Sequence, residues 1–154
     1  MDLYGYCLND PLNFEDPWGL IRIITFIEGS GGGTYAAAVT VFNTETNTVE
    51  FVGHGSTFPN FPGIQNTVAQ GIYDGTRTRM DSKDKPGIFM DTTPTAPGSP
   101  NRTADEIFVH CGETASWRGS SACLTIAPSE CNKFFALFGK EESVQVVIER
   151  VEID

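Results

Sequence analysis

The chain is sparing with the residues from which many sites are built: four cysteines, two histidines and ten lysines and arginines in 154 positions. Cys7, Cys111, Cys123 and Cys131 are too few and too irregularly spaced for a disulfide scaffold. None of them forms a Cys-x-x-Cys pair, so no structural zinc site is indicated, and each reads first as a small buried apolar residue. His54 and His110 stand far apart with no His-Glu-x-x-His, which leaves no recognisable ligand set, and neither a metal nor a cofactor is expected. The zinc deaminase pattern, His-x-Glu with Cys-x-x-Cys, is missing too. Ten bases against 20 acids give a formal charge of -10, which argues against affinity built on neutralising phosphates, so no nucleic-acid partner is expected. The glycines of residues 29–33 lack the Gly-Lys-Ser/Thr ending of a phosphate loop. No apolar run approaches the roughly 18 residues needed to span a bilayer, and no membrane insertion is expected. The opening Met1-Asp2-Leu3-Tyr4 lacks the basic and apolar regions of a secretory signal, so export would depend on something else.

What is present is an ordinary globular composition, 40% hydrophobic and 19% charged, made loop-rich by 16 glycines and 9 prolines. The length suits one domain with a short appendage. Residues 1–20 are rich in turns and aromatics, without amphipathic period, and carry four acids and no base; residues 21–154 carry 16 acids and 10 bases. From residue 21 the pattern predicts a mainly β fold. A β-branched run covers 21–27, and 35–42 is expected to pair with 49–52 through the turn residues 44–47. Short strands are expected at 70–73, 87–90, 106–110 and 123–126, and residues 143–153 alternate like a final one. One helix is expected over 128–138, with Ser129 as N-cap and Gly139 as its stop. Two loop-rich stretches, 53–66 and 91–104, are long enough to suggest function or mobility.

The chemistry concentrates between Ile107 and Ile126. His110 falls at the end of one expected strand and Cys123 at the start of another, 13 residues on. A thiol with a pKa of about 8.5 is mostly protonated at neutral pH, so a cysteine nucleophile needs an imidazole within hydrogen-bond reach. The small residues Gly119, Ser120, Ser121 and Ala122 would let backbone N–H groups approach an oxyanion. Arg118 is the one cation of this loop and a candidate contact for a substrate carboxylate. His54, between Gly53 and Gly55, is a second candidate substrate contact, because the glycines allow close backbone approach.

Two resemblances sharpen this reading. Leu3-Tyr4-Gly5-Tyr6, Asn9-Asp10-Pro11 and Asp16-Pro17-Trp18-Gly19-Leu20 resemble the end of the core of Rhs or YD-repeat proteins, and the pattern Pro-x4-Asp-Pro-x-Gly-Leu is complete over Pro11 to Leu20. That family's shell encloses a variable C-terminal toxin and cuts the chain after the motif's leucine with its own aspartyl protease. The resemblance implies autocleavage between Leu20 and Ile21, with Asp16 the matching aspartate, so that residues 1–20 end the shell and 21–154 form the toxin.

The second resemblance is to the L,D-transpeptidase family, whose motif is a strand-borne His-x-Gly, a spacer, then Ser/Thr-x-Gly-Cys and an aliphatic residue. Here it is carried by His110, Gly112, Ser120, Ser121, Cys123 and Leu124, with Ala122 in place of the family's glycine and Gln70 where a small or acidic residue usually precedes Gly71. It implies a β-sandwich or barrel with one short helix after the catalytic cysteine. It also implies Cys123 as nucleophile, His110 as base oriented by the backbone carbonyl of Cys111, Ser120 holding the nucleophile loop with Ser121 beside it in the catalytic set, Gly112 as a substrate contact, and a peptidoglycan stem peptide as substrate. Together the resemblances imply a secreted antibacterial effector of the type VI kind, acting in a rival's periplasm, with an immunity protein protecting the producer. Two readings from other classes stay open: a Cys-His protease or deamidase acting on a cytoplasmic protein, and a non-catalytic binding module, which Ala122 motivates.

Overall fold

The computed structural model describes residues 21–29, 33–80 and 85–151. The Rhs-like segment, with Asp16 and Leu20, lies outside the described residues. Eight strands form the fold: β1 (Arg22–Gly29), β2 (Ala37–Asn43), β3 (Thr48–Ser56), β4 (Gly71–Met80), β5 (Lys85–Pro94), β6 (Thr103–Cys111), β7 (Leu124–Ile126) and β8 (Ser143–Val151). They close a barrel in the order β1-β2-β3-β7-β6-β5-β4-β8, with β8 parallel to β1, β6 parallel to β7 and every other pair antiparallel. Closure removes the sheet edges that an open sheet of this length would present.

Alternation dictates which side chains fill the barrel. Ile24, Phe26 and Glu28 of β1, Val39 and Val41 of β2, Ile107 and Val109 of β6, and Val144, Val146 and Ile148 of β8 are buried, while residues between them face outward. Gly55 is required where β3 meets β7. A methyl group there would run into the carbonyl oxygen of Thr125 and approach Val39 Cγ2 to 2.9 Å.

The expected hairpin forms as β2 and β3, turning at Asn47, whose φ of 58° is the left-handed conformation asparagine tolerates. The helix is shorter than expected. Residues Pro128–Glu130 make a 3-10 turn and α1 spans only Cys131–Phe135. Ser129 is not its N-cap; that position is Glu130, which makes no side-chain capping bond. After Phe135 the chain tightens through bonds from Leu137 N to Phe134 O and Phe138 N to Phe135 O. This folds Phe134, Phe135 and Phe138 together in the core, with Phe134 edge-on to Phe51 at 5.4 Å. The aromatic cluster, together with Arg22 over Phe138 and Arg77 over Phe135, stoppers the end of the barrel where β1 begins.

At the opposite end the interior turns polar. Glu28, 1% exposed, accepts hydrogen bonds at Oε1 from the N–H and the hydroxyl of Thr57, at 2.7 and 2.8 Å. Arg150 also donates to Thr57, to Oγ1 at 3.1 Å and to its carbonyl at 3.0 Å. Among the described residues, no helix is long and apolar enough to cross a membrane.

Candidate functional site

Parallel strands cannot be joined by a tight turn, so the chain leaving β6 must travel back before it can enter β7. Residues 112–123 make that return across the outer face of the barrel. The crossover explains why His110, on an outward-facing position of β6, is nonetheless only 7% exposed. Tyr35 pins the crossover by donating its hydroxyl to the carbonyl of Thr114 at 2.7 Å and approaching that of Trp117 at 3.2 Å. Its ring lies where any side chain on residue 112 would be, which is why Gly112 is a glycine; the Gly112 N–H bonds to Ile126 O at 2.8 Å.

The register places the two central residues on one surface. His110 pairs with Thr125 across β6 and β7, and Val109 pairs with Leu124. Continuing back one step sets Cys123 beside Phe108, and the Phe108 N–H indeed points at Cys123 Sγ, 3.4 Å away. Alternate strand residues share a face, so His110 and Cys123 occupy diagonal positions on the same outer face, a spacing of roughly 7 Å between Cα atoms. Cys123 is half-buried and in no disulfide, and its thiol also lies 3.9 Å from the carbonyl of Glu106.

Hydrogen bonds orient both groups. His110 Nδ1 is 2.7 Å from the carbonyl oxygen of Cys111. A carbonyl only accepts, so Nδ1 carries the hydrogen and, in the neutral ring, Nε2 holds the lone pair. Ser120, 2% exposed, donates its hydroxyl to the carbonyl of Cys123 at 2.6 Å and so ties the crossover to the start of β7. The Ser120 carbonyl in turn accepts the N–H of Asn60 at 2.9 Å, joining this loop to the one that follows β3.

Ala122 is absent from the described non-glycine residues with positive φ, which are Tyr35, Asn47, Asp91, Glu106 and Glu141. The left-handed residue of the crossover is Gly119, φ 68°, three positions earlier. Alanine therefore fits at 122 without backbone strain.

The other expected substrate contacts are differently placed. Arg118 is 8% exposed and donates Nη1 to the carbonyl of Pro59 at 3.0 Å. It sits within electrostatic reach of Glu28 and Tyr35 and braces two loops from beneath, so its guanidinium is not presented to a ligand. His54 lies level with Ala127, whose N–H bonds to the His54 carbonyl at 2.9 Å. That is four residues beyond Cys123, roughly 13 Å along the strand direction. Its ring Nδ1 is 3.1 Å from Glu130 Oε2, and its backbone N–H donates to Glu130 Oε1 at 2.6 Å. Ser121 is exposed and, with Ala122, lines an open polar groove of about 660 Å³ that leads away from Cys123.

Three features of the site had no clear sequence signal. The far wall of the groove is the segment Asn101, Arg102, Thr103, Ala104 and Asp105, which in sequence is only a formal glycosylation sequon followed by a strand. Asn66 and Asn101 hold the groove together by reciprocal bonds of 3.1 and 3.0 Å. Glu106 adopts φ 53° at a bulge opposite Asp91, φ 66°, so that two successive residues, Asp105 and Glu106, face outward just below the thiol. Finally, Cys111 and Cys131 form a disulfide, with Cα atoms 5.8 Å apart, where each cysteine read as a small apolar residue. Among the described residues no group of three or more His, Cys, Asp or Glu side chains converges as a metal site.

No family model matches the chain, and no curated protein matches it at a significant level. Among solved structures, Mycobacterium tuberculosis L,D-transpeptidase 1 is similar over 82% of this chain and 62% of its own, at 12% identity and a TM-score of 0.40. The chain thus spans less than two thirds of the length of that protein. A likeness at this level carries no information about the chemistry of the site.

Proposed function

We propose that the chain is a cysteine-dependent acyl-transfer enzyme acting on peptidoglycan stem peptides, as an L,D-carboxypeptidase, a D-amino-acid exchanger, or both. The observation that carries this reading is that the register sets the Cys123 thiol, which is in no disulfide, on the same outer face as His110, an imidazole whose Nδ1 is committed to the Cys111 carbonyl. His110 Nε2 takes the thiol proton, and the Cys123 sulfur attacks a substrate carbonyl. The tetrahedral oxyanion collects N–H donors from the nucleophile turn at 121–123, and the amine leaves with the proton held by His110. The thioester on Cys123 is then cleaved by water or by the amino group of an incoming amino acid, which regenerates the thiol. Ser120 and Ser121 serve as the holding residue and the groove lip respectively, and Gly112 seats Tyr35 against the crossover.

The biological setting we propose is an Rhs-type antibacterial effector. Cleavage after Leu20, with Asp16 in the shell's protease, releases residues 21–154 into a rival's periplasm, and an immunity protein protects the producer. The disulfide supports this setting over a toxin acting on a cytoplasmic protein, because such bonds persist in oxidising compartments. Intact-mass spectrometry after incubation with a disaccharide-tetrapeptide tests the chemistry: a thioester adduct on Cys123 is expected, and an adduct absent from wild type under acid quench contradicts the mechanism. Within a full-length parent, a mature toxin beginning elsewhere than Ile21 would overturn the processing step.

A further inference from the structure

Cys111 serves two structures at once. Its carbonyl oxygen accepts the hydrogen of His110 Nδ1, and its sulfur, on the inner side of β6, is bonded to Cys131 at the start of α1. Position and orientation of the imidazole therefore depend on where the Cys111 peptide plane is held. Below it the Gly112 N–H is fixed to Ile126. Within the barrel the Cys111 side chain packs against the core, and its covalent anchor is the disulfide.

The partner segment needs that bond as well. A helix of five residues without a side-chain cap has little stability of its own. It is held by the packing of Phe134 and Phe135, by the Glu130 contacts to His54, and by Cys131, which is 3% exposed. Phe134 packs on Phe51, Phe135 and Phe138, so opening the disulfide leaves the aromatic cluster in place while removing one tie on the end of β6. Cys111 and Cys123 face opposite sides of the β6–β7 pair, so Cys123 does not compete for the bond and is in no disulfide.

From this placement we infer that the Cys111–Cys131 disulfide is the positioning element for His110, so that the thiolate at Cys123 forms readily only in the oxidised chain. The inference rests on the acyl-transfer reading and adds its regulation: a chain made in a reducing compartment is held back until it reaches an oxidising one. Closure is a thiol–disulfide exchange. The half-exposed Cys111 thiolate attacks a disulfide oxidant, a small molecule or a protein, and releases one thiol. Cys131 then displaces the second, so that two protons and two electrons pass from the chain to the oxidant.

The test reads Cys123 without any substrate. Oxidised protein, protein treated with tris(2-carboxyethyl)phosphine, and the Cys111→Ala/Cys131→Ala variant are alkylated with iodoacetamide across a pH series, and the modified peptide containing Cys123 is quantified by mass. An ordinary thiol is only about 3% ionised at pH 7, so the oxidised chain is expected to react about tenfold faster there than the other two forms. In the same samples, nitrogen-15 NMR of His110 should show the Nδ1–H tautomer in the oxidised chain and a tautomer mixture in the reduced one. If reduction lowers the melting temperature while the Cys123 pH profile and the His110 tautomer stay unchanged, the disulfide is merely structural and the inference is overturned. Should reduction unfold the chain, a Cys111→Val/Cys131→Val pair, which fills the volume of the two sulfurs, supplies the same comparison. Redox-dependent alkylation without muropeptide processing would sink the proposed function and leave this inference standing. Equal processing by oxidised and reduced chains would do the reverse.

Discussion

Ser120 closes the turn that leads into β7 by donating its hydroxyl to the carbonyl oxygen of Cys123, three residues ahead in the chain and 2.6 Å away. Ser120 is 2% exposed, so water does not readily replace its hydroxyl in this bond. Ser120→Ala should cost about 1–2 kcal/mol of stability. The larger effect should fall on turnover, with a loss on the order of tenfold to a hundredfold as the thiol drifts from its alignment, and with little change in KM. Steady-state kinetics and a thermal melt on one preparation separate the two effects.

Ala122→Gly should bring no gain in rate. Because Ala122 does not hold a left-handed backbone, glycine relieves no strain and adds only freedom to the unfolded chain and to the turn, costing about 0.5–1 kcal/mol. A rise in turnover above about tenfold, toward the roughly hundredfold that one oxyanion donor is worth, would show that the turn is distorted by the methyl group.

Arg102 and Arg118 should fail in different ways. Arg102 is exposed on the groove wall, and Arg102→Gln should raise KM by about tenfold, the worth of a charge-assisted hydrogen bond, with the melting temperature unchanged. Arg118→Gln should lower the melting temperature, since its buried Nη1 supports the Pro59 carbonyl beneath both loops. A pure KM effect at Arg118 would restore it as a substrate contact.

Glu28 gives the barrel a pH-dependent component. Burial raises its pKa above the ordinary value of 4.5, outweighing the hydrogen bonds from Thr57 and the attraction of Arg118 and Arg150. Below that ordinary value both folded and unfolded chains hold the proton. As pH rises, the unfolded chain ionises first, so stability falls until the folded carboxyl ionises too. Urea unfolding of wild type and Glu28→Gln between about pH 4 and pH 8 should show wild type losing ground to the variant as pH increases. A difference that grows in favour of wild type would mean that the two arginines dominate.

Much of the barrel could be read from alternation, and the parts that escaped have physical causes. The strands with apolar inner residues, such as 143–151 and 37–43, stand out, whereas β4 runs Thr76-Arg77-Thr78-Arg79 and owes its extension to pairing with β5 rather than to its own pattern. The helix over 128–138 was overdrawn because a row of phenylalanines suits both an amphipathic helix and a tight aromatic knot; the 3-10 bonds after Phe134 chose the knot. At the site, His110 and Cys123 stand out in the sequence because strand ends and small residues are local signals. The disulfide was not, since 20 residues separate Cys111 from Cys131 and only the closed barrel brings them together. Arg118 reads in sequence as a substrate contact because nothing in its neighbours announces that its side chain is buried.

The central claim, that Cys123 and His110 act as one acyl-transfer unit on peptidoglycan, is tested most directly by mass spectrometry of muropeptides from purified peptidoglycan incubated with oxidised protein. Wild type should convert tetrapeptide stems to tripeptides or to stems carrying an exchanged terminal amino acid. Cys123→Ala, His110→Ala and the double variant should all be inactive to the same degree, because the losses of nucleophile and base do not add. Conversion by Cys123→Ala at the wild-type rate would contradict the account.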